Sequence, residues 1–202
     1  MTAELSAALA AMSPWEALAA ALAIAYLLLA ARERIACWGC ALVSTAIYTV
    51  LFWNVSLLME SALNVYYLLM AIYGWYQWRR GGRDGASLAI SVWRWQRHAA
   101  VVVGVVLATA VNGYLLDQHT LAAWPYVDSF TTWGAVVTTF MVARKVLENW
   151  VYWFVLDAVS IPLYAERGLY VTAMLFALYL VIIVFGFLSW HRQYAAGPDV
   201  VA

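Results

Sequence analysis

This chain of 202 residues holds one lysine, three histidines, two cysteines and four prolines, and charged residues of both signs make up only 11%. Each scarcity excludes something. So little charge cannot cover a soluble domain of this size, and a chain this apolar does not stay disordered. The single lysine, Lys145, falls between apolar runs, which leaves no lysine inside a span to hold a retinal Schiff base. Cys37-Trp38-Gly39-Cys40 matches the redox pattern C-x-x-C, but it lies in an apolar run with no second pair. It is read as two small buried side chains. His98, His119 and His191 are scattered without metal-ligand spacing, so neither a metal nor a cofactor is expected. Gly81-Gly82-Arg83-Asp84-Gly85 has no strand before it and no lysine after it, and is read as a flexible linker rather than a nucleotide loop. Paired carboxylates, histidine clusters and Ser/Lys dyads are missing too. The chain is therefore not expected to be an enzyme, no catalytic residue is assigned, and nucleic acid is not an expected partner.

What is present is hydrophobic: 66% of residues, with 12 Trp and 13 Tyr. That exceeds the roughly 45–50% of soluble chains and points to an integral membrane protein in contact with the lipid bilayer. Seven apolar runs have the length of membrane spans. They are Ala17–Ala31 (extending back through Trp15), Ile35 to Asn54, a run to Trp78 after the polar break Asn54-Val55-Ser56, His98–Leu116, Ser129–Ala143, Asn149–Ala165 and Gly168–Trp190. Of the eleven basic residues, ten follow the odd-numbered spans and only Arg167 lies on the other side. By the positive-inside rule the N-terminus is outside and the C-terminus cytoplasmic. The Arg residues around the glycine-rich linker are placed to touch anionic lipid. Trp15, Trp78, Trp93, Trp95, Trp124, Trp150 and Trp190 lie near span ends, where an interfacial aromatic belt is expected. The first charge is Glu4, so the start lacks the basic region of a signal peptide, and Thr2 to Met12 is expected as an Ala-rich interfacial helix.

Shifted by 112 residues, Ala31–Arg80 lies on Ala143–Arg192 without a gap, and thirteen of the fifty pairs are identical. Arg32 meets Arg144, Trp38 meets Trp150, Tyr67 meets Tyr179, Gly74 meets Gly186 and Trp78 meets Trp190. Spans one to three therefore repeat as spans five to seven, with span four as linker. Both copies start on the same face, so the pseudo-axis runs along the membrane normal, an arrangement used to bind a solute between halves. The fold class is an all-α membrane protein with a 3+1+3 parallel repeat. Its parts are an N-terminal interfacial segment (1–14), a first half (15–78), a linker region with span four (79–128), a second half (129–192) and a cytoplasmic tail (193–202).

Ionisable groups at membrane depth mark function by default. Asp157 lies midway along the sixth span, and Trp150, Trp153, Asp157, Ser160 and Tyr164 share one helix face. Pro162 frees the carbonyl of Ala158 and is expected to kink that helix. Aromatic rings with one carboxylate suit a planar cationic solute, through stacking, cation–π contact and charge. The bland alternative is a helix seam held by a protonated Asp. On span three, Glu60, Asn64 and Tyr67 form a second stripe, with Glu60 near the outer end and free to snorkel. Asn64 is deeper, and its repeat mate is Phe176, so the two halves differ chemically. Thr131 and Thr138 share a face of span five, and Ser44, Thr45 and Tyr48 sit on span two, although hydroxyls in membrane helices often bond only their own backbone. The candidate substrate-binding residues are Asn64, Tyr67, Trp150, Trp153, Asp157, Tyr164 and Thr131.

Asn64 to Trp78, with Tyr73-Gly74-Trp75 inside it, resembles the third-span signature of the PnuC-type vitamin (nicotinamide riboside) transporter family. So does Ala143 to Asp157, which includes Arg144-Lys145, Glu148-Asn149-Trp150 and Trp153, followed by Gly168 and Tyr170. Asp128-Ser129 at the opening of span five fits as well. The resemblance covers nearly the whole chain after about residue 15. It implies a 3+1+3 fold like that of SWEET sugar transporters and facilitated diffusion of an unphosphorylated vitamin into bacteria. A cytoplasmic kinase then traps the product by phosphorylation. Nicotinamide riboside is the best-known substrate, and relatives carry thiamine or riboflavin. The family's W-x-x-W pattern, followed by Asn or Asp, falls on Trp150, Trp153 and Asp157, and its span-three amide, often Gln, falls on Asn64. This chain has Asp where Asn is common in the family, which keeps thiamine open beside nicotinamide riboside, since both carry a positive ring. Apart from Pro162 the proline set of plant SWEET proteins is absent, which argues against a sugar. The expectation is alternating access by two halves in the bacterial inner membrane, with homo-oligomerisation left open. A seven-helix receptor without transport is the alternative of a different class.

Overall fold

The computed structural model describes residues 13–54, 58–82, 85–120, 124–166, 168 and 170–197. These form seven helices: α1 (Pro14–Ala31), α2 (Cys37–Asn54), α3 (Leu58–Arg80), α4 (Trp95–His119), α5 (Pro125–Ala143), α6 (Asn149–Glu166) and α7 (Tyr170–Ala196). Each expected span falls on one of them. The expected interfacial helix over Thr2–Met12 and the side chain of Glu60 lie outside the described residues. α7 continues past Arg192 to Ala196, so the start of the expected tail is helical. α6 runs unbroken through Pro162.

Local chemistry sets the ends. Ser13 caps α1 by accepting the Glu16 N–H at 3.2 Å, and Pro14 occupies the first turn, where its missing donor costs nothing. Pro125 opens α5 in the same way. The 18 residues of α1 span about 27 Å at ~1.5 Å per residue, close to the hydrocarbon thickness. Among the described residues, α1, α2, α4 and the Thr172–Ala196 stretch of α7 are long and apolar enough to cross a membrane by length and composition. The other three helices carry Asn64, Thr139 and Asp157, and their Tyr, Thr and Asn content lowers their mean hydropathy.

α1 packs on α2 and α2 on α3, while α5 packs on α6 and α6 on α7. Two contacts join these groups, α3 with α5 and α1 with α7. Tyr66 of α3 donates its hydroxyl to the Val136 carbonyl of α5 at 2.8 Å. α4 packs on α5 and leaves Val102, Val103, Val106, Leu107 and Val111 exposed, as a lipid-facing helix does.

The buried centre is aromatic. Trp38, Trp78, Trp150 and Trp190 form a chain of edge-to-face rings, with centroids 5.4 Å apart in the Trp38–Trp78 and Trp150–Trp190 pairs and 5.8 Å in Trp78–Trp190. This corrects the belt expectation for Trp78, Trp150 and Trp190. They are at most 3% exposed, because the helices bring their ends together around them. Trp15, Trp95 and Trp124 remain exposed as a belt requires. Gly74 and Gly186 are the matching gaps. A Cβ at Gly74 would overlap the Trp38 ring, and one at Gly186 the Trp150 ring.

The stretch that follows the glycine-rich linker is tied to the helix ends. Leu88 N–H returns to the Trp78 carbonyl at 3.3 Å, and Ser91 pairs with the α5–α6 loop through Ser91 N–H to Lys145 O at 2.9 Å and Leu147 N–H to Ser91 O at 2.8 Å. Residues 88–91 are strapped to the helix ends, with Leu88 and Ile90 burying part of their surface on the core, while Arg83 and Asp84 of the expected flexible linker lie outside the described residues. Glu148 then accepts the Trp93 N–H at 3.2 Å and lies 3.5 Å from His98 Nε2. Cys37 and Cys40 are both free thiols.

Candidate functional site

A cavity of about 290 Å³ lies between the helix groups, lined by residues of α1, α2, α3, α5, α6 and α7. Its wall is mostly apolar and aromatic, with a few polar groups, as expected of small-molecule sites. α6 contributes Asn149, Trp150, Trp153 and Asp157, spaced so that one helix face meets the cavity. α3 contributes Asn64 and Tyr67. Facing them are Tyr26 of α1, Trp38, Ser44, Thr45 and Tyr48 of α2, Thr139 of α5, and Phe176 and Tyr179 of α7.

Five of the seven candidate residues, Asn64, Tyr67, Trp150, Trp153 and Asp157, therefore line one cavity. Thr131 and Tyr164 lie outside its lining. The Thr131 hydroxyl donates to its own helix, to Asp128 O at 3.0 Å and Val127 O at 3.1 Å, the local bond that membrane-helix hydroxyls favour. Tyr164 stacks on Phe176 with centroids 5.2 Å apart, so it backs a lining ring without reaching the space itself. Ser160, on the same α6 stripe, is buried and bonds Leu156 O at 2.9 Å.

Among the described residues Asp157 is the only carboxylate in the lining, and it is 4% exposed. Among the described residues no hydrogen bond or ion pair reaches it. The Ser and Thr hydroxyls of the lining are already committed: Ser44 donates to Ala19 O at 2.8 Å, Thr45 to Ala41 O at 2.8 Å and Thr139 to Ala135 O at 2.8 Å. Beside the Asp157 carboxylate, three fully buried atoms are not. Trp38 Nε1, Trp150 Nε1 and Asn149 Oδ1 are buried without a partner among the described residues, and all three side chains belong to the lining. Unmet buried polar groups are costly, so a site that holds two donors and an acceptor in reserve is suited to a ligand carrying both complements.

Tyr26, Trp38 and Asn149 were not among the residues singled out from sequence as candidates. Trp38 had a readable signal, as the repeat mate of Trp150. Asn149 had one as well, inside the stretch from Ala143 to Asp157 that carries the family resemblance, whereas Tyr26 had none, since only packing turns it inward. The repeat also describes the asymmetry of the wall. The mate of Asp157 is Thr45 and that of Trp153 is Ala41, so the acid and the large ring stand on one side, with a hydroxyl and a methyl across from them. Among the described residues no group of His, Cys, Asp and Glu is placed to hold a metal.

Residues 13–192 match the family model described as Nicotinamide mononucleotide transporter. The chain is 23% identical to the nicotinamide riboside transporter PnuC of Escherichia coli (strain K12), over 80% of this chain and 78% of that protein. It is 27% identical to the riboflavin/roseoflavin transporter RibM of Streptomyces davaonensis, over 61% of this chain, and spans 59% of that relative's length. A crystal structure of the vitamin B3 transporter PnuC has the same fold, with a TM-score of 0.70 at 21% identity, covering 89% of this chain and 81% of that one. The chain belongs to the PnuC-type nicotinamide mononucleotide transporter family, a family of multi-pass membrane transporters and not of enzymes.

Proposed function

We propose that this protein carries a small planar vitamin with a positive ring, nicotinamide riboside first, across the bacterial inner membrane by facilitated diffusion. The observation that carries the reading is Asp157, which among the described residues is the one carboxylate of an aromatic cavity and has no hydrogen-bond or ion-pair partner, beside Trp150 and Trp153. Unit charges ~4 Å apart attract by about 4 kcal/mol at an effective dielectric near 20, enough to select a cation over a neutral ring of like shape. Trp153 stacks on or edges the heterocycle. Asn64, with the spare donors of Trp38 and Trp150, meets a carboxamide or ribose hydroxyl. Relatives of this chain are named for nicotinamide riboside and for riboflavin. The acid favours the charged ring, and thiamine is the second reading on the same ground.

The working parts are two parallel three-helix halves, residues 15–78 and 129–192, joined through α4 in a 3+1+3 arrangement of the SWEET kind. Support comes from the thirteen identical pairs at a shift of 112 and from the matched α3–α5 and α1–α7 contacts. The halves rock about the solute to expose it to each side in turn. The ten-to-one distribution of basic residues supports an N-terminus outside and a cytoplasmic C-terminus. A cytoplasmic kinase that phosphorylates the vitamin makes the flux one-way without a coupling ion.

Calorimetry on the purified protein with nicotinamide riboside, thiamine and riboflavin tests the reading. Binding of the riboside, lost in Asp157→Ala and Trp153→Ala variants that remain folded, is the expected result. Binding of thiamine alone moves the assignment to the second reading. Binding unchanged in both variants removes the proposed site.

A further inference from the structure

α1 and α5 end identically. In α1 the N–H of Glu33 returns to Ala30 O at 3.0 Å and that of Arg34 to Leu29 O at 2.9 Å. In α5 the N–H of Lys145 returns to Val142 O at 3.0 Å and that of Val146 to Met141 O at 2.9 Å. This is the Schellman ending, whose left-handed position is normally glycine. Here it is Glu33, with φ 52°, and Lys145, with φ 48°, the only two described residues other than glycine with positive φ. Side chains are held in that conformation at a cost, and such outliers persist where the surroundings demand them.

The two costly residues carry opposite charge and meet. Lys145 Nζ lies 2.7 Å from Glu33 Oε2, across 112 positions of sequence, the shift that superposes the two copies. Their side chains are 9% and 14% exposed, and the ammonium lies 4.8 Å from the centre of the Trp78 ring. The carbonyls beneath them cross as well: Trp78 Nε1 donates to Val142 O at 3.1 Å and Trp190 Nε1 to Ala30 O at 2.9 Å. Ala30, Val142, Trp38 and Trp150 line the cavity, so this lock closes the cavity at its α1–α2 and α5–α6 end.

We infer that Glu33 and Lys145 are the gate latch of the transport cycle. They join the two halves on the pseudo-axis at the end where ten of the eleven basic residues lie, and part when that end opens to release the solute. The inference rests on the proposed two-half transport cycle. Beside the packed rings of Trp78 and Trp190, a pair bound by charge adds a contact suited to opening and closing. It is directional while closed, and water re-solvates both ions when the halves separate. Because the two backbones are equivalent, exchanging the charges preserves the pair.

The test uses the full chain in inside-out membrane vesicles, with Cys40→Ala so that Cys37, fully buried in the cluster beside Ala30 and Trp38, reports opening to a membrane-impermeant maleimide. Expected results are protection in the parent and about tenfold faster labelling in Glu33→Gln and Lys145→Met, within the usual range of coupling between sites. Protection returns in the exchanged Glu33→Lys/Lys145→Glu protein. Labelling needs no substrate, so the result stands whichever solute the cavity takes. Protection in both single variants overturns the inference, and so does fast labelling of the exchanged protein. Failure of both single variants to fold makes the pair structural, which also overturns it.

Discussion

Trp78 and Trp190 meet ring to ring at 5.8 Å and 60°, and each donates its indole N–H to the end of a helix in the other group. The carbonyls they reach, of Val142 and Ala30, lie in the last turn of a helix and already accept the N–H of Lys145 and Glu33, so each indole adds a second bond. These four residues thus join two helix groups at the ends of two helices, and Ala30 and Val142 among them line the cavity.

Removing one of those donors tests the joint directly. Trp190→Phe and Trp78→Phe each keep a large ring while losing a buried hydrogen bond. Each is expected to cost about 1 kcal/mol, because the accepting carbonyl retains a backbone partner in Glu33 or Lys145. A lower Tm of the detergent-purified protein in both variants, by similar amounts, is the expected result. A loss in only one would mean that the two joints are not equivalent.

Gly74→Ala and Gly186→Ala put a methyl into the indole planes of Trp38 and Trp150. Overpacking of this kind costs about 1–3 kcal/mol. Each substitution moves a ring of the proposed site, Trp38 or Trp150, so substrate affinity falls along with Tm. Thermal unfolding followed beside calorimetric binding separates the two effects.

Asp157→Asn keeps the shape of the side chain and removes its charge. A cationic vitamin is expected to lose about 2 kcal/mol, roughly thirtyfold in Kd, whereas a neutral analogue of the same ring loses little. Competition binding with a charged and an uncharged analogue measures that difference. Equal losses for both would show that the carboxylate acts by hydrogen bonding rather than by charge.

Thr131→Val should leave substrate affinity unchanged, since the Thr131 hydroxyl serves its own helix and the residue is outside the cavity lining. A measurable rise in Kd would extend the site along α5 beyond the residues that line the cavity.

Composition and charge order alone determined that this is a membrane protein whose described residues form seven helices, because long apolar runs and the spacing of arginine between them are properties of the chain. The α6 stripe was also legible, since helical periodicity puts Trp150, Trp153 and Asp157 on one face whatever they pack against. Tertiary structure decided the rest. A tryptophan near a span end reads the same whether it faces lipid headgroups or a neighbouring helix, and only packing drew Trp78, Trp150 and Trp190 inward while leaving Trp15 and Trp95 exposed. Thr131 and Tyr164 had suitable chemistry and lost the cavity to their own helix and to Phe176. The pairing of Glu33 with Lys145 required both the left-handed helix endings and the approach of two distant loops. No local pattern encodes that approach, because it exists only once the two helix groups have met.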